Sequence, residues 1–267
     1  MKIVTWNINS VRLRLDNLAR VAKELDPDVI CLQETKAHDD VFPTLGIAAL
    51  GYPHQAISGM KSYNGVAILS RLPLTNIGKQ GWCGKEDCRH VYATLPDGTE
   101  IHSVYIPAGG DIPDPVANAK FAHKLQFLDD LAQWGRDLAG KPKSKSARRI
   151  LVGDLNVAPL ETDVWSHKQL LKVVSHTPIE VEKFAKAQDS GRWIDAVREV
   201  IPSEERLYSW WSYRSSEWET ADKGRRLDHV WISEALRPAL RDAKILRAAR
   251  GWELASDHVP VCVSLAD

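Results

Sequence analysis

Acidic and amide side chains recur at the ends of apolar segments along this chain. In the segment SDHVPVCVSL, Asp257 and His258 directly precede alternating apolar residues that are typical of a buried strand. Because an unpaired buried charge costs several kcal/mol, we expect this pair either at a solvated strand end or in a site with a chemical role. Side chains of the same kind stand at or just after other apolar segments: Asn7, Asn9, Glu34, Asp154, Asn156 and Asp228.

These side chains predict metal-dependent hydrolysis of a phosphate ester. Strand ends in an open layered sheet meet at one rim, where ligands bind. Carboxylate and amide oxygens are the ligands that Mg²⁺ prefers, with Mn²⁺ as the alternative. The metal would neutralise the phosphate and stabilise the leaving oxygen, and a carboxylate or histidine would activate water. Turn and cap roles are the alternative for each Asp or Asn taken singly, and Asn9 serves equally well as a cap of the first helix.

The cysteines do not indicate a metal site. Cys31 and Cys262 lie in apolar segments, which predicts reduced, buried thiols. Cys83 and Cys88 lie near His90, but their spacing matches no usual zinc pattern and a fourth ligand is missing. We therefore expect a site built from oxygen ligands.

Composition and length limit the classes of protein to which this chain can belong. The chain has 267 residues, of which 44% are hydrophobic, so we expect a single domain over residues 1–267 with a sizeable core. Basic and acidic residues number 35 each, so the net charge does not indicate a protein that coats nucleic acid, although a local basic patch would suffice for binding. MKIVTWNI predicts a strand rather than a signal peptide, and no apolar run approaches the roughly 20 residues of a membrane span. We expect a cytoplasmic protein that makes no membrane contact.

The hydrophobic pattern predicts the elements that position these side chains. A strand, a helix over residues 14–25 that ends before Pro27, and a second strand open the chain as a βαβ unit. Such a unit implies a layered sheet with helices outside it. A Pro-Asp-Gly turn joins two strands into a hairpin over residues 90–106. Further strands are predicted within residues 64–70, 150–159, 226–233 and 258–265, a long amphipathic helix within 116–140, and a helical, irregular region over 162–206.

Seven segments, in order, resemble exonuclease III and the related apurinic/apyrimidinic (AP) endonucleases. They are TWNINSVR, LQETK, YNGVAILS, VGDLNVAP, YSWWSYR, GRRLDHVWIS and SDHVPV, and together they span nearly the whole chain. Each segment alone is a weak signal, but their combination is highly specific. The resemblance implies the deoxyribonuclease-I-like α/β fold, a four-layer sandwich of two packed mixed β-sheets flanked by helices.

The resemblance also implies a metal site and a water-activating pair. Glu34, with Asn7 and Asp257 close by, would form the metal site. Asn9 stands where some relatives carry an aspartate, which would weaken a direct contact with the metal. Asp154 would align or deprotonate the attacking water, and Asn156 would orient it. Which residue is the general base stays open at this point.

Phosphate-binding residues follow from the same resemblance. His258, paired with Asp228, would bind the scissile phosphate, and the Tyr105 phenol would contact the same phosphate. A carboxylate partner fixes the tautomer of the ring and favours its charged form. His229 follows Asp228 on a strand, so it should face the opposite way and be structural.

DNA-contacting residues are implied at the rim of the site. Arg89 would contact a phosphate and Lys36 would lie beside the site. Trp210, rather than Trp211, and Leu227 would form the wall of a pocket that accepts a flipped-out abasic sugar.

Two residues depart from the pattern of the relatives. Ala108 stands where relatives often carry an amide near the phosphate, so one donor is lost. Arg225 stands where relatives usually place an apolar or aromatic pocket residue, and an arginine there could stack on a base or bind phosphate.

The leading hypothesis is a metal-dependent DNA-repair nuclease. It would hydrolyse the phosphodiester 5′ to abasic sites in duplex DNA as a monomer, and would also act at 3′ ends as a 3′–5′ exonuclease and 3′-phosphatase. One alternative keeps the fold but acts on RNA, lipid headgroups or inositol phosphates. Another is a DNA-binding module without catalysis. A serine hydrolase is excluded, because no Gly-x-Ser-x-Gly segment precedes these strands.

Overall fold

The computed structural model describes residues 1–142 and 144–266. These residues contain twelve β-strands and seven α-helices. The strands are β1 (Lys2–Asn7), β2 (Val29–Gln33), β3 (His54–Met60), β4 (Tyr63–Ser70), β5 (Thr75–Lys79), β6 (His90–Thr94), β7 (Glu100–Tyr105), β8 (Arg149–Asp154), β9 (Trp193–Asp195), β10 (Asp228–Ser233), β11 (Leu240–Ile245) and β12 (Val261–Leu265). The helices are α1 (Leu15–Leu25), α2 (Thr44–Ala49), α3 (Ala119–Gly140), α4 (His167–Leu170), α5 (Pro178–Gly191), α6 (Ala196–Val200) and α7 (Trp218–Ala221).

The strands form two six-stranded mixed sheets, in the orders β11-β12-β1-β2-β4-β3 and β5-β6-β7-β8-β10-β9. Within the first sheet β1 and β2 are parallel, and within the second β7 and β8 are parallel. The other neighbouring strands are antiparallel. Each sheet therefore presents two parallel strands at its centre, and their carboxyl ends lie at the same edge.

The sheets pack face to face, and helices cover both outer faces. Both kinds of packing involve the central strands, because successive side chains of a strand point to opposite faces of its sheet. Ile3 of β1 packs in the core between the sheets together with Val152 of β8. Trp6 of β1 packs on the outer face with Leu18 of α1, and helices α3 and α5 cover the other sheet around Phe127. The predicted four-layer sandwich is confirmed.

Local signals predicted the central elements correctly. Helix α1 ends at Leu25, followed by Asp26 in the left-handed conformation and then Pro27. Strands β6 and β7 form the predicted hairpin. Cys31 and Cys262 are buried free thiols, as predicted. No helix in the described part of the chain is long and apolar enough to cross a membrane.

The four strands that the pattern did not predict are the four sheet edges: β3, β5, β9 and β11. An edge strand pairs along one side only, and natural edge strands commonly carry polar or charged side chains that discourage further pairing. Strand β5 has the sequence TNIGK and no fully buried residue, and β11 is likewise partly exposed throughout. The irregular region over 162–206 contains α5, whose start carries a capping box between Thr177 and Glu180.

Candidate active site

Strand register brings the predicted polar side chains to one end of the sandwich. Tyr105, Asp154 and Asp228 are direct neighbours across β7, β8 and β10. On the facing sheet, Asn7 ends β1 and Glu34 follows β2. Because β1, β2, β7 and β8 end at this edge and β10 begins there, the chain assembles one cluster from segments far apart in sequence.

The cluster forms part of the wall of a cavity of about 800 Å³. Such a volume is typical of a site that binds a ligand. The predicted residues on its wall are Glu34, Tyr105, Asp154, Asn156, Trp210, Arg225, Leu227, Asp257 and His258. Asn7 and Asp228 are buried directly behind this wall, where they contact Glu34, Asp154 and His258.

His258 lies between two carboxylates. Its Nδ1 donates a hydrogen bond of 2.8 Å to Asp228, and its Nε2 lies 3.6 Å from Asp154. Burial by itself lowers the pKa of His258, but the charges of Asp228 and Asp154 outweigh burial and raise the pKa to about 10. The backbone of Asp228 is held in turn by the Ser209 hydroxyl at 3.0 Å. The structure therefore presents a fixed imidazolium to the cavity.

Asp154 is the most deeply buried acid on the wall, at 1% exposure. Burial and the negative charges of Asp228 and Glu34 raise its pKa to about 7, against the opposing influence of His258 and Asn7. One carboxylate oxygen accepts the backbone N–H of Asn156 at 3.1 Å. The other accepts the Asn7 amide at 2.9 Å. These bonds hold the carboxylate in one orientation at the cavity wall.

Glu34 shares the Asn7 amide with Asp154. Asn7 donates to Glu34 at 2.9 Å, the Tyr105 hydroxyl donates to the same oxygen at 2.7 Å, and the Lys36 ammonium lies 2.8 Å from the other oxygen. Burial opposes ionisation of Glu34, but these donors lower its pKa below the usual value. Burial, together with Glu34 and Asp154, raises the pKa of Tyr105, so the phenol stays a donor.

Asp257 also lines the cavity and is half-buried. Its carboxylate accepts hydrogen bonds from the Trp210 indole at 3.0 Å and from the Asn9 amide at 3.2 Å. Asn9 also accepts a bond of 2.6 Å from Lys36. Asn9 does not cap the first helix, because α1 begins only at Leu15.

The charges of this wall fit a divalent cation. Carboxylates that lie close together in a partly buried site repel one another, and a cation relieves that repulsion. Within the hydrogen-bonded cluster on and behind the wall, four carboxylates are accompanied by two cationic groups. The carboxylates are Glu34, Asp154, Asp228 and Asp257, and the cationic groups are Lys36 and His258. Ligand atoms of Asp154, Asp228 and His258 also lie within 4.8 Å of one another. A protonated imidazole cannot ligate a metal, so the oxygen atoms of the wall are the suitable donors.

Residues 4–258 match the sequence profile of the endonuclease/exonuclease/phosphatase family. The chain belongs to this family. It is 33% identical to the DNA repair nuclease APEX1 of Danio rerio, over 100% of this chain and 82% of that protein. It is 30% identical to exodeoxyribonuclease III of Haemophilus influenzae, with 98% of each chain covered. The resemblance found in the sequence motifs is thereby confirmed.

Solved structures of the family share the fold closely. An AP endonuclease from Archaeoglobus fulgidus matches with a TM-score of 0.90 at 29% identity, over 99% of each chain. A 3′ phosphatase from Neisseria, NExo, determined with a product DNA hairpin, matches with a TM-score of 0.89 at 31% identity over 100% of each chain. The deoxyribonuclease-I-like fold is therefore established for this family member.

Arg89 lies behind the cavity wall of this family member. It is only 4% exposed, donates to Asp87 and to the backbone oxygen of Tyr105, and stacks on the Tyr105 ring. Arg89 therefore supports Tyr105, and its contact with a phosphate stays a prediction. His229 faces away from the site, as predicted, and contacts the backbone oxygen of Val157 at 2.8 Å.

The paired tryptophans point in opposite directions. Trp210 lines the cavity, whereas Trp211 is 1% exposed, packs against Tyr208 and Trp218, and donates to Asp222. This is the arrangement that the alternation of an extended segment predicts.

Lys124 is a site-supporting residue that the motifs did not reveal. It is fully buried in α3, and its ammonium lies 2.5 Å from Glu180. It also donates to the backbone oxygens of Asn156 at 2.7 Å and Ala108 at 3.3 Å. A lysine within the apolar face of a predicted helix was the available signal, since Phe121 and Leu125 flank it. Lys124 thus connects two loops of the cavity wall to the start of α5.

Replacement of Lys124 by methionine is expected to destabilise the protein. The Lys124→Met variant leaves the Glu180 carboxylate buried without its cation, which should lower the free energy of unfolding by about 3–5 kcal/mol. Urea unfolding followed by tryptophan fluorescence measures this difference. The control is Lys120→Met, an exposed position on the same helix, which should change stability by less than about 0.5 kcal/mol. Equal stabilities of the two variants would contradict the prediction.

Proposed function

We propose that this protein is a DNA-repair nuclease that hydrolyses the phosphodiester 5′ to abasic sites in duplex DNA. The observation that carries the proposal is the hydrogen-bonded cluster of Asp154, Asn7 and Glu34 beside the Asp228–His258 pair, on one wall of a cavity. These groups suit attack of water on a phosphate diester. The names of the relatives, which are DNA-repair and exodeoxyribonuclease enzymes, support a DNA substrate. Action at 3′ ends is part of the proposal, as the name of the Neisseria relative suggests.

Asp154 is assigned the role of general base. His258 is held between two carboxylates, with one ring nitrogen bonded to Asp228, so it is charged and has no free lone pair. His258 instead binds a non-bridging oxygen of the phosphate as a cation. Asp154 accepts the proton of the attacking water, and Asn156, whose amide is held by the Ile106 backbone oxygen at 2.9 Å, orients that water. The Tyr105 phenol, which donates its single hydrogen to Glu34 in the free protein, would donate it to the phosphate instead when substrate binds.

Glu34, with Asn7 and Asp257, would hold a divalent cation. We propose Mg²⁺, because oxygen ligands of this kind are the ones that it prefers, and Mn²⁺ would substitute. When bound, the cation supplies charge neutralisation of the phosphate and stabilises the leaving oxygen. Lys36 lies against Glu34 and keeps its carboxylate ionised.

The part of the cavity wall formed by Leu227 and Trp210 would receive the abasic sugar. Leu227 is almost fully buried, and the Trp210 indole is fixed by its bond to Asp257. An apolar wall next to the catalytic cluster accepts a baseless sugar that has left the helix. A flat indole held by a hydrogen bond costs little conformational entropy on binding.

Cleavage of a duplex with one abasic-site analogue tests the proposed function. The enzyme with Mg²⁺ should incise the labelled strand 5′ to the analogue and leave a 3′-hydroxyl, as mapped on a sequencing gel. An undamaged duplex of the same sequence is the control for unspecific nicking. An intact abasic duplex, together with hydrolysis of RNA, a phospholipid or an inositol phosphate, would favour the alternative substrates on the same fold.

A further inference from the structure

Arg225 lies on the cavity wall in a rigid position. Its guanidinium stacks on the Trp210 ring at 5.2 Å and donates to the Val174 backbone oxygen at 3.0 Å and to the Ser175 hydroxyl at 2.8 Å. The backbones of Trp210 and Arg225 exchange two hydrogen bonds of 3.0 Å. The side chain is therefore held at both ends and does not need to be ordered when a ligand binds.

The charge of Arg225 is not paired with a carboxylate among the described residues. Within residues 1–142 and 144–266, no carboxylate lies at ion-pair distance from it, and its buried Nε has no hydrogen-bond partner. The adjacent Arg226 shows the contrast, since it pairs with Asp163 at 2.8 Å and with Asp195 at 2.7 Å. Burial lowers the pKa of Arg225, and only Glu180, which already pairs with Lys124, opposes this. A partly buried cation of this kind costs folding free energy that an anionic ligand would recover.

The cavity wall carries basic side chains as well as the carboxylate cluster. Lys223 and the exposed Arg214 line the cavity together with Arg225. Trp210 lies between Arg225 and His258, because its backbone pairs with both. Two strand spacings of about 4.8 Å place Arg225 roughly 10 Å from His258 along this direction. A phosphate bound at His258 would thus direct a short ester substituent toward Arg225.

We propose that Arg225 is a specificity-determining residue that favours substrates with a small anionic group esterified to the scissile phosphate. The inference rests on the proposed function and refines its substrate class to duplex ends whose 3′ phosphate carries a carboxylate-bearing remnant. Water adds its oxygen to phosphorus and gives a proton to Asp154, and the bond from phosphorus to the DNA O3′ breaks. The O3′ takes a proton from solvent, which leaves a 3′-hydroxyl and the phosphate monoester of the remnant.

Two matched duplex ends test this selectivity. One carries a 3′-phosphoglycolate, and the other carries the 2-hydroxyethyl ester of the same 3′ phosphate, which has a neutral substituent of equal length. We expect the ratio of their kcat/KM values to favour the glycolate by about tenfold or more, the size of a charge-assisted hydrogen bond. Arg225→Leu should bring this ratio close to one, and Arg225→Lys should restore part of it.

The controls separate selectivity from folding and from general attraction of DNA. Arg214→Leu removes an exposed charge from the same cavity and should lower both rates together while the ratio is kept. If Arg225→Leu fails to give a cooperative thermal transition, Arg225→Gln, which keeps a polar planar group, replaces it. An equal ratio in the native enzyme and in the Arg225 variant would overturn the inference while the proposed function stands. Failure of the native enzyme on both ends and on abasic duplex would overturn the proposed function itself.

Discussion

Replacement of Asp154 by asparagine should lower kcat for abasic-site incision by about 10²- to 10⁴-fold, the usual range for loss of a general base. The amide cannot accept the proton of the attacking water. It has nearly the same shape as the carboxylate, and its oxygen can still accept the Asn156 N–H or the Asn7 amide. Single-turnover cleavage of an abasic duplex measures the effect.

A measurement of stability distinguishes a loss of catalytic activity in Asp154→Asn from a loss of folded structure. Removal of one negative charge from a buried cluster of carboxylates relieves repulsion, so Asp154→Asn should unfold at no lower urea concentration than the native protein. The matched control is Asp137→Asn, an exposed carboxylate on α3, which should leave kcat unchanged. If Asp154→Asn retains incision within about threefold of the native rate, Asp154 is not the base, and His258 becomes the remaining candidate.

Removal of divalent cations should reduce incision to the background rate. Without a cation, the carboxylates of Glu34, Asp154 and Asp257 face the phosphate of the substrate and repel it. Chelation followed by addition of Mg²⁺ or Mn²⁺ should restore the rate, and Glu34→Gln should require more metal for the same recovery. Unchanged incision in excess chelator would contradict a metal-dependent mechanism.

Metal binding also has a readout that does not depend on activity. A cation that binds only the folded protein stabilises it by about 2.7 kcal/mol at a concentration one hundred times its Kd. Thermal unfolding with and without Mn²⁺ should therefore show an upward shift for the native protein and a smaller one for Glu34→Gln. Glu24→Gln, in an exposed i,i+4 pair with Arg20, should keep the full shift.

The polar side chains at the strand ends were predictable because the local sequence pattern indicates them. Each polar side chain of the cluster follows or begins a short apolar strand, as Asn7, Asp154 and Asp228 do. Together with the motif resemblance, this pattern led to the fold and to the residues that line the cavity. The sheet edges were not predictable in the same way, because β5 and β11 are partly exposed and lack a periodic apolar pattern.

Residues whose role depends on long-range packing were harder to place. Arg89 is buried against Tyr105, which lies on the next strand of the sheet, and this support was not predicted; its contact with a phosphate stays a prediction. Lys124 gave no motif signal, because its partners Asn156 and Glu180 come from separate loops and helices. Neither arrangement follows from spacing along the chain.

The sequence by itself determined the central strands, the helices that cover them, the oxygen-rich character of the site and the family. Those properties depend on residue type and on periodicity over a few neighbouring residues. Only the tertiary structure decided which charges are paired. His258 is cationic because Asp228 and Asp154 reach it from other strands. Arg226 pairs with Asp163 and Asp195, whereas no carboxylate of the described residues pairs with Arg225. Electrostatic energies depend on distances through space and on burial, and folding alone sets both.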